Sequence, residues 1–295
     1  GVKAKYRGLS PRLRRKWDRL IATDGAKLGL TDCRAFLENK LVNDIFYEGM
    51  FNGRPCIVKC SSRAPDSIRN EYEMSRRLFT DDPLSCAEPL AFWRSQDGRL
   101  ALVVLESLPG PSLTDVRFGP RDAAVRMVDG ITGDFERIAA SLLQTGVVHG
   151  DMGTTDNYLM GEDGHFRLID FQFAVDRRIG CRDPWLTAHP KYRFAVLSCR
   201  LDRDGANWND IAYLRDHLQK WLPVTDVSSA AALRLDALVE QSRYHASFTV
   251  CQRWLLRAYA MSLAVQRLFR RRKSGVLNFR YGRLRVLLAG RSAAG

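Results

Sequence analysis

Long apolar stretches are missing from this sequence of 295 residues. No run reaches the roughly 18 apolar residues of a membrane-spanning helix, so none is expected. The start also lacks the apolar stretch of a secretory signal. No Cys-x-x-Cys pair occurs, and the cysteines number seven, which is odd. We therefore expect reduced thiols in a cytoplasmic protein, without a zinc site or a disulfide framework.

The most informative segment is VVHGDMGTTDNYLM at 147–160, which is followed by LIDF at 168–171. Asp151 lies in a polar stretch, Asn157 precedes an apolar stretch, and Asp170 follows another one. A Gly-Glu-Asp-Gly sequence between the two apolar stretches is typical of a turn. The pattern predicts a β-hairpin, with Asn157 just before its first strand and Asp170 just after its second strand.

These residue types suit a phosphoryl-transfer site. Phosphoryl transfer needs alignment and charge neutralisation more than it needs covalent help. Asp151 is the candidate to orient an acceptor hydroxyl. Asn157 and Asp170 offer oxygen ligands to magnesium, which is a hard cation.

A second group of candidate residues lies upstream. Apolar residues on both sides of Asn52-Gly53, a strong hairpin turn, predict two strands, and the second strand ends in Lys59. The next segment has apolar residues at helical spacing. Its Glu71 is our candidate to pair with Lys59. Glu73 is the alternative, because the sequence does not fix which of the two glutamates faces the lysine.

Together these motifs resemble those of the protein-kinase-like superfamily, and the resemblance covers roughly residues 34–225. The His-Gly-Asp loop and the compact form are most similar to bacterial lipopolysaccharide core kinases, which phosphorylate Kdo or heptose. The resemblance implies a two-lobed α+β fold, with a small β-rich N-lobe at 34–107 and a larger helical C-lobe at 108–295. A basic N-terminal extension, 1–33, precedes these lobes, and a basic helical extension ends the C-lobe.

The resemblance also implies a role for each candidate residue. Asp151 is the catalytic base. Lys59, held by Glu71, contacts the phosphates of ATP. Asn157 and Asp170 bind Mg2+.

Two more contacts follow from the resemblance. The apolar strand at 100–106 and the turn after it are similar to the hinge between two kinase lobes, which places adenine against backbone groups near Glu106 and Leu108. Asp210 resembles the buried aspartate that begins a large C-lobe helix. That aspartate steadies the catalytic loop and does no chemistry.

The sequence departs from the family pattern around the nucleotide. No glycine-rich loop precedes Lys59, and residues 38–44 contain no glycine. The glycine of the Asp-Phe-Gly motif is replaced by Gln172. The catalytic loop is one residue longer than usual, so Asp156 holds the common asparagine position and is the alternative to Asn157 as metal ligand.

Three further departures concern the acceptor. Gly150 replaces the arginine that binds an activation-loop phosphate in many protein kinases. Gly153 stands where Ser/Thr protein kinases usually carry a lysine, and no Ala-Pro-Glu motif follows. These departures favour a constitutively ordered site with a non-protein acceptor.

The net charge of +13 is concentrated at the two ends of the chain. Residues 1–20 carry +7, and residues 241–295 carry +12 with no acid, which leaves −6 on residues 21–240. Attraction to an anionic surface is worth about 1 kcal/mol per basic residue. We therefore expect an anionic partner: a membrane surface, a phosphorylated glycolipid or, less favoured, nucleic acid.

Basic residues near both ends are interleaved with apolar ones. Helical spacing of apolar residues predicts a helix over 250–269. The basic segments at 270–273, 279–288 and 11–17 are candidates for contact with a membrane interface.

The expected function is an ATP- and Mg2+-dependent kinase that transfers the γ-phosphate to a sugar hydroxyl of the lipopolysaccharide inner core. Its expected location is cytoplasmic and peripheral on the inner membrane. The alternatives are an atypical protein kinase, or a kinase-fold scaffold of weak activity that binds anionic membrane or nucleic acid.

Overall fold

The computed structural model describes residues 10–39, 44–62, 65–176, 207–208, 210–220, 222–242 and 244–245. Its fold is mixed α+β, with a five-stranded antiparallel sheet followed by a mainly helical part. The segments 250–269, 270–273 and 279–288, for which a helix and membrane contacts are predicted, lie outside the described residues.

Among the described residues, the α-helices are α1 (Pro11–Leu20), α2 (Pro65–Asp81), α3 (Leu113–Phe118), α4 (Arg121–Thr145), α5 (Asp210–Lys220) and α6 (Asp226–Ser242). The strands are β1 (Leu30–Asn39), β2 (Asp44–Phe51), β3 (Arg54–Ser61), β4 (Pro89–Arg94), β5 (Ala101–Glu106), β6 (Val147–Val148), β7 (Tyr158–Met160), β8 (Phe166–Leu168), β9 (Val175–Asp176), β10 (Asn207–Trp208) and β11 (Tyr244–His245). Among the described residues, no helix combines the length and the apolar character needed to cross a bilayer.

The large sheet has the strand order β1-β2-β3-β5-β4. Its β2–β3 hairpin turns at Asn52 and Gly53, whose φ angles are 50° and 80°, and positive φ at both positions suits a two-residue hairpin turn. Lys59 lies opposite Phe46 of β2 and Val103 of β5, and therefore belongs to the middle strand of the sheet. The predicted hairpin is confirmed.

Helix α1 packs on one face of this sheet. Trp17 is fully buried in a cluster that includes Ile45 and Val58, and the Tyr47 hydroxyl donates to Oδ1 of Asp18 at 2.8 Å. The membrane contact predicted around Trp17 is wrong for this ring, because the ring fills the space between helix and sheet. The sheet unit therefore begins at α1, ahead of the sequence-based boundary at residue 34.

Trp17→Ala is expected to lower the free energy of unfolding by about 3–5 kcal/mol, the usual cost of emptying a large aromatic site in a core. The measurement is denaturant unfolding of the full chain. Lys16→Ala, an exposed change on the same helix, serves as the control and should shift stability by less than about 0.5 kcal/mol. Equal effects of the two changes would contradict the placement of α1.

Helix α2 packs on the opposite face of the sheet. Ile68 of α2 lies with Ala101, Val103 and Leu105 of β5, whereas Leu102 belongs to the cluster under α1. Successive residues of a strand point to opposite faces. Lys59 pairs with Val103, so its side chain points toward α2.

The helical part is organised around α4. Its Phe135 is fully buried in a cluster with Leu214 of α5 and Leu235 of α6. The short β7–β8 hairpin packs into the same cluster and pairs Tyr158 with Leu168. This hairpin, which the sequence predicted, brings its two outer ends side by side.

Candidate active site

A buried lysine lies between two carboxylates where α2 faces the sheet. Nζ of Lys59 is 2.8 Å from Oε2 of Glu71 and 2.7 Å from Oδ1 of Asp170. The lysine and Glu71 are almost completely buried, whereas the side chain of Asp170 is 28% exposed. The fold thus joins β3, α2 and the loop after β8 at one ion-pair cluster.

The charges in this cluster support one another. Burial lowers the pKa of Lys59, but Asp170 and Glu71 raise it by more, so the lysine stays cationic. Burial raises the pKa of Glu71 to about 7, and the Lys59 charge opposes that rise. Breaking such a buried pair is costly because the remaining charge has no partner.

Glu73, the alternative partner for Lys59, lies on the outer side of α2. Its Oε1 is 2.7 Å from Nε of Arg69, and both side chains are at least half exposed. Two residues along a helix are rotated by about 200°, so Glu71 and Glu73 face opposite ways. The structure places Glu71 beside the lysine.

His149 fixes the loop that contains Asp151. Nδ1 of His149 accepts a hydrogen bond from the Asp151 N–H at 3.1 Å, and Nε2 lies 2.9 Å from the carbonyl oxygen of Ile169. An imidazole that accepts at Nδ1 carries its proton at Nε2. The ring is therefore in the tautomer that donates to Ile169, and both of its nitrogens are engaged by the main chain.

Asp210 supports the same loop from the start of α5. Its Oδ2 accepts the His149 N–H at 2.5 Å, and its Oδ1 accepts the Gly150 N–H at 3.4 Å. The aspartate is buried. Its contacts are those of a loop support, the role that the sequence suggested for it.

Asp210→Ala is expected to lower the free energy of unfolding by about 1–3 kcal/mol, because buried N–H groups at residues 149 and 150 would lose their acceptor. Denaturant unfolding measures this loss, and amide hydrogen exchange should show faster exchange at His149 and Gly150. The exposed Asp129→Ala change on α4 is the control. Unchanged exchange at both amides would contradict the supporting role.

Asp151 belongs to a connected network. Its Oδ1 accepts the Thr154 hydroxyl at 2.6 Å, and its carbonyl oxygen accepts Nδ2 of Asn157 at 3.0 Å. The carbonyl oxygen of Asn157 accepts the Ile169 N–H at 3.0 Å. Asp151 and Asn157 are therefore tied to the residue that precedes Asp170. The sequence did not single out Thr154 or Ile169, because their roles depend on this tertiary arrangement.

The structure distinguishes the two adjacent candidates for a metal ligand. Asn157 is buried and bonded to the Asp151 carbonyl, whereas Asp156 is exposed. The hydrogen bond from Nδ2 fixes the amide plane and leaves the amide oxygen on the other side. This arrangement favours Asn157 over Asp156.

Asp170 has an unusual backbone conformation. Its φ is 66° and its ψ is 59°, which is the left-handed region. Aspartate and asparagine enter this region more readily than other residues that have a side chain. Oδ1 of Asp170 is held by Lys59, and Oδ2 lies 3.4 Å from Nε2 of Gln172.

The two predicted adenine contacts differ in what they offer. The Glu106 carboxylate is used internally, by Arg167 at 2.8 Å and by the Glu88 N–H at 3.1 Å. The Glu106 N–H donates to the Glu88 carbonyl at 2.8 Å and is not available to a ligand. Leu108 is a buried residue. Its backbone N–H donates no hydrogen bond within the described residues. Leu108 is therefore the better hydrogen-bond donor for a base.

Sequence reasoning missed one buried acid near the cluster. Asp44, the first residue of β2, is only 3% exposed, although a polar residue at a strand end usually faces solvent. Burial raises its pKa to about 6, against the lowering effects of the Lys59 charge and a hydrogen bond from Ser61. Only the pairing of β2 with β3 reveals its position.

No protein-family model matches this chain, and comparison with curated proteins found no match. The function is therefore argued from the geometry above.

Proposed function

We propose that this chain is an ATP- and magnesium-dependent phosphotransferase with a two-lobed protein-kinase-like fold. The observation that carries the proposal is the buried Lys59 between Glu71 and Asp170, beside the loop that links Asp151 to Asn157. A cation for phosphates, an acid for the acceptor and oxygen ligands for a metal are the parts that phosphoryl transfer requires.

In this proposal the sheet with α1 and α2 is the N-lobe, and α3 onward is the C-lobe. The junction is the stretch after β5, where Leu108 offers its N–H to the nucleotide base. Ser107 donates its N–H to the Pro55 carbonyl at 3.3 Å, which ties this junction to β3. The nucleotide then lies between the sheet and the loop of Asp151.

Lys59 anchors the phosphates in the proposed mechanism. Its ammonium lies between two carboxylates, and Glu71 holds it from the side of α2 at 2.8 Å. Phosphate oxygens accept hydrogen bonds from such an ammonium as a point charge. Because Glu71 is nearly fully buried, it stays with Lys59 and keeps the lysine in place when phosphates arrive.

The residues present fit a magnesium ion. Asp170 keeps a partly exposed carboxylate, and the Asn157 amide is oriented by its bond to Asp151. No cluster of three or more His, Cys, Asp or Glu side chains suited to a metal occurs among the described residues. Magnesium usually takes one or two protein carboxylates plus phosphate oxygens and water, so two protein ligands suffice. Bound there, it would supply charge neutralisation for the phosphates.

Asp151 receives the acceptor hydroxyl. The Thr154 hydroxyl and the His149 ring hold its carboxylate and its backbone, so the direction of the carboxylate is set before a substrate binds. The acceptor hydroxyl donates its hydrogen bond to Asp151, which orients the oxygen toward the γ-phosphorus and takes the proton as the new oxygen–phosphorus bond forms. The bond from the γ-phosphorus to the β,γ-bridging oxygen breaks in the same step, and ADP leaves with that oxygen.

The acceptor that we propose is a sugar hydroxyl, most closely that of a lipopolysaccharide inner core, at the cytoplasmic face of the inner membrane. Gly150, Gly153 and the missing Ala-Pro-Glu motif support a non-protein acceptor. The basic residues of 1–20 and 241–295 support an anionic glycolipid or membrane surface as partner.

A scaffold of weak activity is the second candidate. The feature that favours it is the sequence before Lys59, where residues 38–44 contain no glycine to bring the backbone close to phosphates. On that reading the basic termini bind anionic membrane or nucleic acid. An atypical protein kinase is the third candidate, and Gly153 with the missing Ala-Pro-Glu motif speaks against it.

The test is transfer of the terminal phosphate of Mg-ATP to a purified lipopolysaccharide inner-core acceptor, with a generic protein acceptor in parallel. Asp151→Asn is the control with strongly reduced turnover, and Glu73→Gln is the matched change of an exposed acid. Labelling of the glycolipid that depends on Asp151 would support the sugar kinase. Labelling of protein alone would favour an atypical protein kinase. Without ATP binding or labelling, the scaffold would be favoured.

A further inference from the structure

Asp44 lies on the same face of the sheet as Lys59. It pairs with Ser61 across the β2–β3 ladder, and Phe46 pairs with Lys59 two positions further along. Alternate residues of a strand point to the same face, and directly paired residues share that face. The side chains of Asp44 and Ser61 therefore lie beside the lysine, on the side that receives α2.

The Asp44 carboxylate is only partly satisfied. It accepts a hydrogen bond from the Ser61 hydroxyl, and it interacts electrostatically with Lys59 and Asp170. Its Oδ1 is buried without a hydrogen-bond partner among the described residues. Buried carboxylate oxygens normally have a donor or a cation nearby, so the negative charge of Asp44 is only partly compensated.

The charge balance of the cluster affects which form of a nucleotide can bind there. Lys59 is one cation beside three carboxylates, those of Asp44, Glu71 and Asp170. The excess is two negative charges when all three acids are ionised. Glu71 is ion-paired with Lys59 at 2.8 Å. Burial raises the pKa of Asp44 to about 6 against the opposing effect of the Lys59 charge, so the proposal is tested at pH 8, above that value.

We propose that Asp44 makes nucleotide binding depend on a divalent cation, because its charge repels a metal-free triphosphate from Lys59. This inference rests on the proposed function, which places the phosphates at Lys59. Like charges repel strongly where the surroundings have a low dielectric constant. A metal-bound triphosphate carries two fewer negative charges and escapes most of this repulsion.

The experiment is calorimetric titration of the full chain with ATP at pH 8, once with Mg2+ and once with EDTA. Wild-type protein is expected to bind Mg-ATP and to bind metal-free ATP much more weakly. Asp44→Asn should increase the affinity for metal-free ATP at least about tenfold and change the affinity for Mg-ATP less than about threefold. Glu73→Gln, which removes an exposed acid from the outer side of α2, should change neither affinity.

The outcomes separate this inference from the proposed function. Equal gains with and without metal in Asp44→Asn, or no gain without metal, would overturn the role of Asp44 and leave the phosphotransferase intact. Absence of ATP binding by wild-type protein under both conditions would overturn both. If Asp44→Asn does not fold, Asp44→Ser, which also removes the charge, carries the same expectation. Wild-type protein that binds ATP equally well with and without metal also overturns the role of Asp44.

Discussion

Asp170→Asn is expected to abolish measurable phosphate transfer, with a loss on the order of 10³-fold or more. A metal ion contributes several kcal/mol of charge stabilisation to such reactions, and each 1.36 kcal/mol is about a factor of ten in rate. An amide is a much weaker ligand for magnesium than a carboxylate. The measurement is the rate of transfer from labelled Mg-ATP, with ATP binding followed by calorimetry in the same preparation.

Asparagine is a better test at this position than alanine. The left-handed backbone of Asp170 accepts asparagine, whereas alanine would add strain of roughly 1 kcal/mol. The 2.8 Å contact of Lys59 with Glu71 does not involve Asp170, so we expect it to remain when the Asp170 charge is removed. The variant should therefore fold normally. Transfer at the wild-type rate by a folded Asp170→Asn protein would rule out this residue as the metal ligand.

Asp151→Asn is expected to lower the turnover number by about 10²–10⁴, the usual contribution of a positioned acid or base. The Michaelis constant for ATP should change little, because Asp151 faces the acceptor and not the nucleotide in the proposed arrangement. The amide oxygen of asparagine still accepts the Thr154 hydroxyl, so the loop keeps its conformation. Steady-state kinetics with varied ATP and varied acceptor separate the two constants.

Thr154→Ala provides a graded companion to that variant. It removes the hydroxyl that holds Oδ1 of Asp151 at 2.6 Å but leaves the carboxylate in place. A smaller loss than for Asp151→Asn is expected, since the base remains and only its orientation is less restricted. A loss in Thr154→Ala as large as that in Asp151→Asn would mean that Asp151 acts through loop structure alone.

Local sequence patterns predicted the parts of the site that depend on neighbouring residues. Asn52-Gly53 fixes the β2–β3 hairpin, and this hairpin carries Lys59 into the middle of the sheet. The turn between β7 and β8 brings Asn157 and Asp170 to the same end of a hairpin in the same way. In each case the geometry is set within about twenty residues of chain.

Tertiary packing decided the questions that the sequence left open. The choice between Glu71 and Glu73 depends on how α2 is rotated against the sheet, and Ile68 sets this rotation by packing on β5. Trp17 is part of a basic helix whose sequence resembles a membrane-surface segment. Its ring is nevertheless buried against residues of β2 and β3. Asp44 stands at a strand end, where only strand pairing shows that it is enclosed.

The left-handed main chain at Asp170 also constrains how this protein can evolve. A single nucleotide change converts an aspartate codon into an asparagine codon, and asparagine is among the residues that this backbone accepts most easily. In the proposed phosphotransferase, loss of activity would then require one mutation and would leave Lys59 and Glu71 in place. Asparagine at position 170 is therefore a change that the backbone tolerates and that a single mutation can reach.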